Sequence, residues 1–389
     1  MKVALIASDN NASSGAFLSM TNLALQLNEL NVETVIVIPP DGPFVGPGDG
    51  EAILKEKGLR YYVVPSISWV VPGWYPEKIL VSLGQIKRLW KNKVYARKLT
   101  KILKKEHVDL VHINTSYSCF GAFAAKQAGI PYVWHIREFL EEDQGNRFYF
   151  PRYAHRLMSH ASLVIAISNS IYEKYSKVIK KEKIKVIYNG IDTAEFYMPS
   201  RKIFQSSQIT LCYVGGLSEL KGTDDLIEAC RLLNERGYKD SYRLLIAGRG
   251  NEVYEAQLEE KIGQYHLDNI HMLGFRTDVP HVLEQADVSI VTSRYEAFGR
   301  VTVEAMLSGN LVLGADSAGT KELLQDGTLG VLYECGNPES IMEKVVYIIE
   351  NRSSLTDKAD AARAYMKEHM SARRNAENIY REYRRILGE

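Results

Sequence analysis

Two carboxylates eight residues apart, Glu296 and Glu304, bracket the most informative stretch of the chain, Ser293-Arg294-Tyr295-Glu296-Ala297-Phe298-Gly299-Arg300-Val301-Thr302-Val303-Glu304-Ala305-Met306. It reads as a strand end, a loop and the start of a helix. The first N–H groups of a helix have no partner within it, and the helix dipole adds positive potential there, so such a start binds phosphate. The amides of Phe298, Gly299, Arg300 and Val301 are the candidate donors. Glu296, ahead of the loop, could accept hydrogen bonds from sugar hydroxyls, and Glu304, in the first helical turns, could take both hydroxyls of a ribose. The same two acids also fit a plainer account, in which Glu296 caps a turn and Glu304 is a favourable acid near a helix start.

Positioning these groups requires strands that end on a common edge. Short β-branched runs alternate with longer segments of helical period, the pattern of buried parallel strands joined by crossover helices. Candidate strands in the first half are Val3–Ala7, Thr34–Ile38, Tyr61–Val64, Asp109–Ile113, Tyr132–His135, Leu163–Ile167 and Lys185–Tyr188. The pattern restarts with Ile209–Val214, Arg243–Ala247, Ile270–Leu273, Val288–Thr292, Leu311–Gly314 and Gly330–Tyr333. We therefore expect an α/β protein with two Rossmann-like parallel-sheet domains, residues 1–195 and 208–370. A polar, strand-poor linker at 196–207 separates them, and the charged helix 371–389 is expected to pack back on the first domain. Open parallel sheets bind ligands at the carboxyl ends of their strands, and two of them facing each other would form a cleft for two substrates.

Composition narrows the partners. At 389 residues two domains are the natural expectation, and 46% hydrophobic with 24% charged residues fits a soluble globular chain. The net charge of +1 argues against a nucleic-acid binder, although residues 1–195 carry 25 Lys and Arg against 18 Asp and Glu, while the remainder carries 23 against 29. Cys119, Cys212, Cys230 and Cys335 show no C-x-x-C spacing, so neither a zinc site nor a disulfide framework is indicated, and a reducing cytoplasm fits. The apolar run Val3–Ala7 is too short for a signal core, and no run approaches the length of a membrane span.

Taken in order along the chain, several further motifs accompany the two carboxylates. They are Val186-Ile187-Tyr188-Asn189-Gly190-Ile191-Asp192, Val214-Gly215-Gly216-Leu217-Ser218-Glu219-Leu220-Lys221-Gly222, Ile246-Ala247-Gly248-Arg249-Gly250, Leu273-Gly274-Phe275-Arg276-Thr277-Asp278-Val279-Pro280, Gln285-Ala286-Asp287-Val288 and Ala318-Gly319-Thr320-Lys321-Glu322-Leu323. With them the sequence resembles the retaining glycosyltransferase family 4 of GT-B fold, whose signature is E-x7-E. The resemblance implies transfer of a sugar from a nucleotide-diphosphate donor to a glycan or polyprenyl-diphosphate-linked acceptor, as in bacterial polysaccharide synthesis. It implies donor contacts at Gly15, Gly216, Lys221, Gly248, Phe275, Arg276, Glu296, Phe298, Gly299, Arg300, Val301 and Glu304. Glu296, His135 and Lys221 would be the catalytic residues, Lys221 holding the diphosphate and His135 reaching the transferred sugar. His112 and Asn114 match the family's H-x-H position in part.

Charge balance on a departing diphosphate makes a cation at Lys221 chemically apt. No Asp-x-Asp pair occurs, so no metal and no cofactor besides the nucleotide sugar is expected. Many family members carry arginine where this chain has Gly216, so either another cation such as Arg294 or Arg300 substitutes or activity is weaker than is typical of the family. Other readings of the same architecture are a nucleotide-sugar 2-epimerase and a non-catalytic sugar-binding protein. Finally, residues 78–105 carry ten basic residues, with Glu106 just beyond, and follow the aromatic stretch Ile67–Tyr75. That combination suits either anionic headgroups on the inner face of a membrane or an acceptor-site helix with solvated lysines.

Overall fold

A computed structural model describes residues 1–12, 14–42 and 48–389. The chain divides into two compact units, Met1–Gly190 with Ala372–Glu389, and Ile191–Ser371. The first unit carries β1 (Lys2–Ile6), β2 (Glu33–Ile38), β3 (Tyr61–Val63), β4 (Val70–Pro72), β5 (Leu110–Ile113), β6 (Tyr132–Ile136), β7 (Asn146–Phe148), β8 (Leu163–Ala166) and β9 (Ile184–Val186). Seven of them form a sheet in the order β3-β2-β1-β5-β6-β8-β9, and every pairing is parallel. The second unit carries β10 (Ile209–Val214), β11 (Tyr242–Ala247), β12 (Ile270–Gly274), β13 (Val288–Val291), β14 (Leu311–Ala315) and β15 (Val331–Tyr333). These form a parallel sheet in the order β12-β11-β10-β13-β14-β15.

The central strands are mostly apolar because helices cover both faces of a parallel sheet, so alternation has little to select for, while polar residues such as Lys185 and His271 fall on the edge strands β9 and β12. Val3, Leu5 and Ile36 meet Phe17, Met20 and Leu27 of the helix Gly15–Glu29 in the first core. Leu211, Ile246, Ile290 and Leu313 meet Leu226, Cys230 and Ile341 in the second. Each sheet reverses its strand order once, beside β1 in the first and beside β10 in the second. At such a reversal consecutive loops part and leave room for a ligand at the strand ends.

Two features differ from the sequence expectation. The chain leaves the first unit at Gly190, and residues 196–207 belong to the second unit instead of bridging the two. The backbone N–H of Phe204 donates to Asp287 Oδ1 at 2.7 Å, and Arg201 Nη1 donates to the Leu283 carbonyl at 2.6 Å, so this polar stretch is strapped to its own domain. A short antiparallel pair, β4 with β7, was not anticipated, because three-residue strands, one of them ending in proline, give no periodic signal.

The helix Ala372–Leu387 lies in the first unit. Ala376, Ile379 and Tyr383 recur at helical spacing and join the core of Val3, Leu5 and Phe17. Asn375 Nδ2 donates to the Tyr188 carbonyl, and Lys185 Nζ pairs with Glu382 at 2.5 Å. Ile379 is completely buried, so Ile379→Ala should cost about 2–5 kcal/mol, read as a lower urea midpoint for the first unit. An unchanged midpoint would show that the helix contributes nothing to that core.

Candidate active site

In the second unit the loops after β10 and β13 leave from the two central strands at the point of strand reversal, and the sequence-predicted cation and carboxylate meet there. A one-turn helix, Glu219–Lys221, follows β10, with Ser218 capping it by accepting from the Lys221 N–H. Lys221 Nζ is 2.8 Å from Glu296 Oε1, and both side chains are three-quarters or more buried. Two further bonds knit the loops: Thr292 Oγ1 donates to the Lys221 carbonyl at 2.6 Å, and the Arg294 N–H donates to the Leu220 carbonyl at 3.2 Å. The ammonium is therefore held at a fixed height above the sheet edge.

The helix Arg300–Leu307 begins where this loop ends. Gly299 stands at its N-cap with φ 92°, a conformation that a residue with a Cβ resists, and among the described residues no side chain caps the first turn. The helices beginning at Gly15, Asn169, Glu252 and Pro338 are each capped by Ser14, Ser168, Asn251 or Asn337. The start at Arg300, like those at Phe120, Pro151 and Ala318, has neither a side-chain cap among the described residues nor a first-turn acid, and beside the Lys221 ammonium such a start can receive an anion. Phe298 is buried and anchors the loop, so its contribution to a ligand is its backbone. Val301 is half-buried in the first turn.

Glu304 is nearly buried one turn further on, and Arg300 Nη2 reaches its Oε1 at 2.9 Å. Burial pushes its carboxyl up from the usual carboxylate range, opposed by the Arg300 charge. Arg294, the other candidate substitute cation, turns to Asp225 at 3.2 Å.

On the other side of β10, Gly248 follows β11, and a Cβ there would stand 1.9 Å from the Gly215 carbonyl oxygen, so only glycine lets the two loops approach. Gly216 is exposed, and a Cβ on it would meet nothing nearer than the Arg249 carbonyl at 3.9 Å. Arg249 is a cation the sequence reading passed over. Its position between two glycines at a strand end was the available signal. Its guanidinium lies 5.7 Å from the ring centre of Phe275, itself half exposed after β12. Arg276, by contrast, is exposed and engages Asp278 at 2.5 Å, two residues along its own loop. Thus Lys221, Glu296, Arg300 and Glu304 lie in or beside one loop pair, Gly216, Gly248 and Phe275 line the neighbouring strand ends, and Arg276 is directed to its own loop.

The first unit has its own cluster at the reversal beside β1. Gly15 opens a helix whose cap is Ser14, while Ser13, within the predicted loop, lies outside the described residues. Asn114, following β5, donates to the Ala16 carbonyl at 3.0 Å and accepts from Arg137 Nε at 2.9 Å. His135 on β6 is fully buried, its Nδ1 3.1 Å from His112 Nε2, and His112 Nδ1 is 2.6 Å from the Tyr383 hydroxyl. If Tyr383 donates, His112 donates in turn, and His135 is left with its proton on Nε2, a buried atom with no partner among the described residues. Two buried carboxyls were not anticipated: Asp9, pushed by burial up to about 6, and Glu138, pushed up to about 7.

Burial, with Arg137 nearby, brings the His112 pKa down to about 3. The unfolded chain protonates this ring near 6.5 and the folded protein does not, so the unfolded state binds more protons between those values and acidification costs stability. Asp9 and Glu138 act in the opposite sense over much of that range, so the comparison is made with a variant. The stability gap between wild type and His112→Gln should change in the direction of a weakening wild type as the pH falls below 6.5, by up to about 1.4 kcal/mol per pH unit. Urea unfolding at several pH values measures it, and a gap independent of pH would show that His112 titrates alike in both states.

Comparison with known proteins follows this division. The model for glycosyltransferase family 4 matches residues 13–195, and that for glycosyl transferases group 1 matches residues 198–368. The N-acetyl-alpha-D-glucosaminyl L-malate synthase of Bacillus anthracis is 22% identical over 310 residues, covering 75% of this chain and 77% of its own. The UDP-Gal:alpha-D-GlcNAc-diphosphoundecaprenol alpha-1,3-galactosyltransferase of Escherichia coli is 23% identical over 269 residues, covering 65% and 70%. Among solved structures, Anabaena HepE in complex with UDP and glucose superposes with a TM-score of 0.76 at 23% identity, over 98% of this chain and 99% of that one. That likeness establishes the fold, and the matched segments establish the kinship: this chain is a glycosyltransferase of GT-B fold, its first half belonging to glycosyltransferase family 4 and its second to the group 1 glycosyl transferases.

Proposed function

We propose that the chain transfers a sugar from a nucleotide diphosphate to a hydroxyl of a glycan or polyprenyl-diphosphate-linked acceptor, with retention of configuration and without a metal ion. The observation that carries this reading is the convergence of the Lys221–Glu296 pair and the uncapped helix start at Arg300 on one edge of the second sheet. The HepE structure with UDP and glucose supports a nucleoside-diphosphate donor, and the E. coli relative, named for UDP-Gal and a diphosphoundecaprenol acceptor, supports the substrate classes. Such chemistry belongs to cell-surface polysaccharide synthesis on the cytoplasmic side of a membrane.

In this reading the diphosphate oxygens take the Lys221 ammonium and the amides of Gly299 to Val301, and Glu296, relieved of its lysine, accepts sugar hydroxyls. Glu304 accepts ribose hydroxyls. As the bond from the anomeric carbon to the leaving phosphate oxygen breaks, the acceptor oxygen bonds to that carbon on the same face, and its proton passes to the leaving phosphate. Positive charge already in place stabilises the departing diphosphate without reorganisation. For His135 the family resemblance implies contact with the transferred sugar, and the hydrogen on its Nε2 is the one a sugar hydroxyl would accept. The candidate for the second cation is Arg249, which follows β11 beside Gly216 and carries its guanidinium over the Phe275 ring.

Thermal shifts against UDP-, GDP- and dTDP-sugars in the presence of a chelator should reveal one stabilising base, because a ligand that binds the folded state raises the melting point. A strict requirement for magnesium, or an inverted anomer in the product, would refute the mechanism. Glu304→Ala should weaken nucleotide binding about 10- to 100-fold, whereas Glu296→Ala should chiefly lower kcat, by about 10²–10³. Equal defects of one kind in both variants would remove that division. Arg249→Ala should weaken diphosphate binding about tenfold, and adding Gly216→Arg should restore it. Failure of the second change to rescue the first would disprove the substitution of one cation for the other.

A further inference from the structure

The helix Ile79–Lys105 is built in two halves with different surroundings. From Asn92 onward Asn92, Ala96, Leu99 and Leu103 are buried against the first unit. Ahead of Asn92 the buried residue is Gln85, whose Nε2 donates to the Tyr75 hydroxyl at 3.3 Å, and Ser82 Oγ sits 2.8 Å from the Tyr149 hydroxyl. The front half is thus tethered along one side by polar contacts.

The opposite side is apolar and bare. Ile79, Leu83, Ile86 and Trp90 are 81%, 57%, 53% and 63% exposed, and their spacing of four, three and four is that of one helical stripe. At about 100° per residue the four lie within about 60° of one another and well over a right angle from the line of Gln85, Asn92 and Ala96. Leu80 and Trp74, 82% and 81% exposed, extend the patch at its start. Isolated exposed apolar residues are ordinary, but a contiguous aromatic and aliphatic stripe of this kind marks a surface that something covers.

Charge identifies the cover. Lys78, Lys87 and Lys91 are exposed at the start and along the flank of the stripe, and residues 78–105 contain no acid. A second protein surface would be expected to find acidic partners in such a patch, whereas an apolar stripe bordered by lysines, with tryptophans at both ends, matches the boundary between acyl chains and anionic headgroups. No helix among the described residues is long and apolar enough to cross a membrane, so the contact would lie in the plane of the interface.

We propose that the front half of this helix, with Trp74, inserts its apolar stripe into the surface of an anionic lipid bilayer while its lysines contact the headgroups. The proposal deepens the reading of a lipid-linked acceptor and rests on it for its purpose, but not for its physics, since vesicles need contain no acceptor. Purified full-length protein is mixed with phosphatidylcholine vesicles with and without phosphatidylglycerol, then floated, with tryptophan emission recorded in parallel. Wild type should float with the anionic vesicles and shift its emission to the blue. The triple variant Leu83→Ser, Ile86→Ser, Trp90→Ser should lose flotation at least about tenfold, judged from the apolar surface removed, while keeping its melting temperature and nucleotide binding. Lys87→Glu with Lys91→Glu should lose the preference for phosphatidylglycerol. Wild type that stays at the bottom of the gradient, or a triple variant that floats equally well, overturns the proposal. So does a wild-type dimer that the triple variant converts to monomer, because a second copy would then be the cover. Protein that floats but does not glycosylate a polyprenyl-diphosphate acceptor leaves the docking intact and removes the acceptor reading instead.

Discussion

Where a parallel sheet reverses its strand order, the loops leaving the two central strands must run in opposite directions, and the space between them cannot be filled by either crossover. Both sheets of this protein obey that constraint, and the residues with chemical potential collect at it. In the second unit the loops after β10 and β13 part around Lys221 and Glu296. In the first unit the loops after β1 and β5 bring Asp9 and Asn10 to one side and Asn114 to the other. The site in each unit is a consequence of topology before it is a consequence of side chains.

Much of this was legible in the sequence, for a physical reason. Buried parallel strands are rich in apolar residues, and most strands of the two large sheets are, with polar exceptions such as Lys185 in β9, Arg243 in β11 and His271 in β12, so their number and positions along the chain could be read directly. The loop from Ser293 to Glu304 was legible because a glycine followed by a helical pattern marks a helix start. What could not be read is what depends on distance through space. Lys221 and Glu296 are far apart in sequence, and neither predicts that the other will hold it in place. Nor did the spacing of His112, His135 and Tyr383 reveal a buried relay, because it joins two adjacent strands and a helix from the far end of the chain.

Other differences arise where one property of a segment masks another. The segment 196–207 reads as a linker by polarity, yet Asp287 and the carbonyls of Leu283 and Ala286 satisfy its polar groups and bind it to the second unit. Charge drew attention to the lysines after Lys78, while the apolar stripe between them, equally present in the letters, required a helical projection and knowledge of which face is buried. Arg276 has the composition of a phosphate ligand and the geometry of a loop brace. Arg249 has the reverse, a cation overlooked in the sequence that stands at a strand end beside Gly216 with its guanidinium over Phe275.

The position of the helix Ala372–Leu387 has a bearing on how the molecule comes into being. Its residues Ala376, Ile379 and Tyr383 complete the core of the first unit, but a ribosome makes them only after the whole of the second unit has been synthesised. Vectorial synthesis usually lets an amino-terminal domain finish first. Here the strands of the first sheet are all made early, but the helix that completes its core is made last, so the final packing of the first unit follows the synthesis of the second.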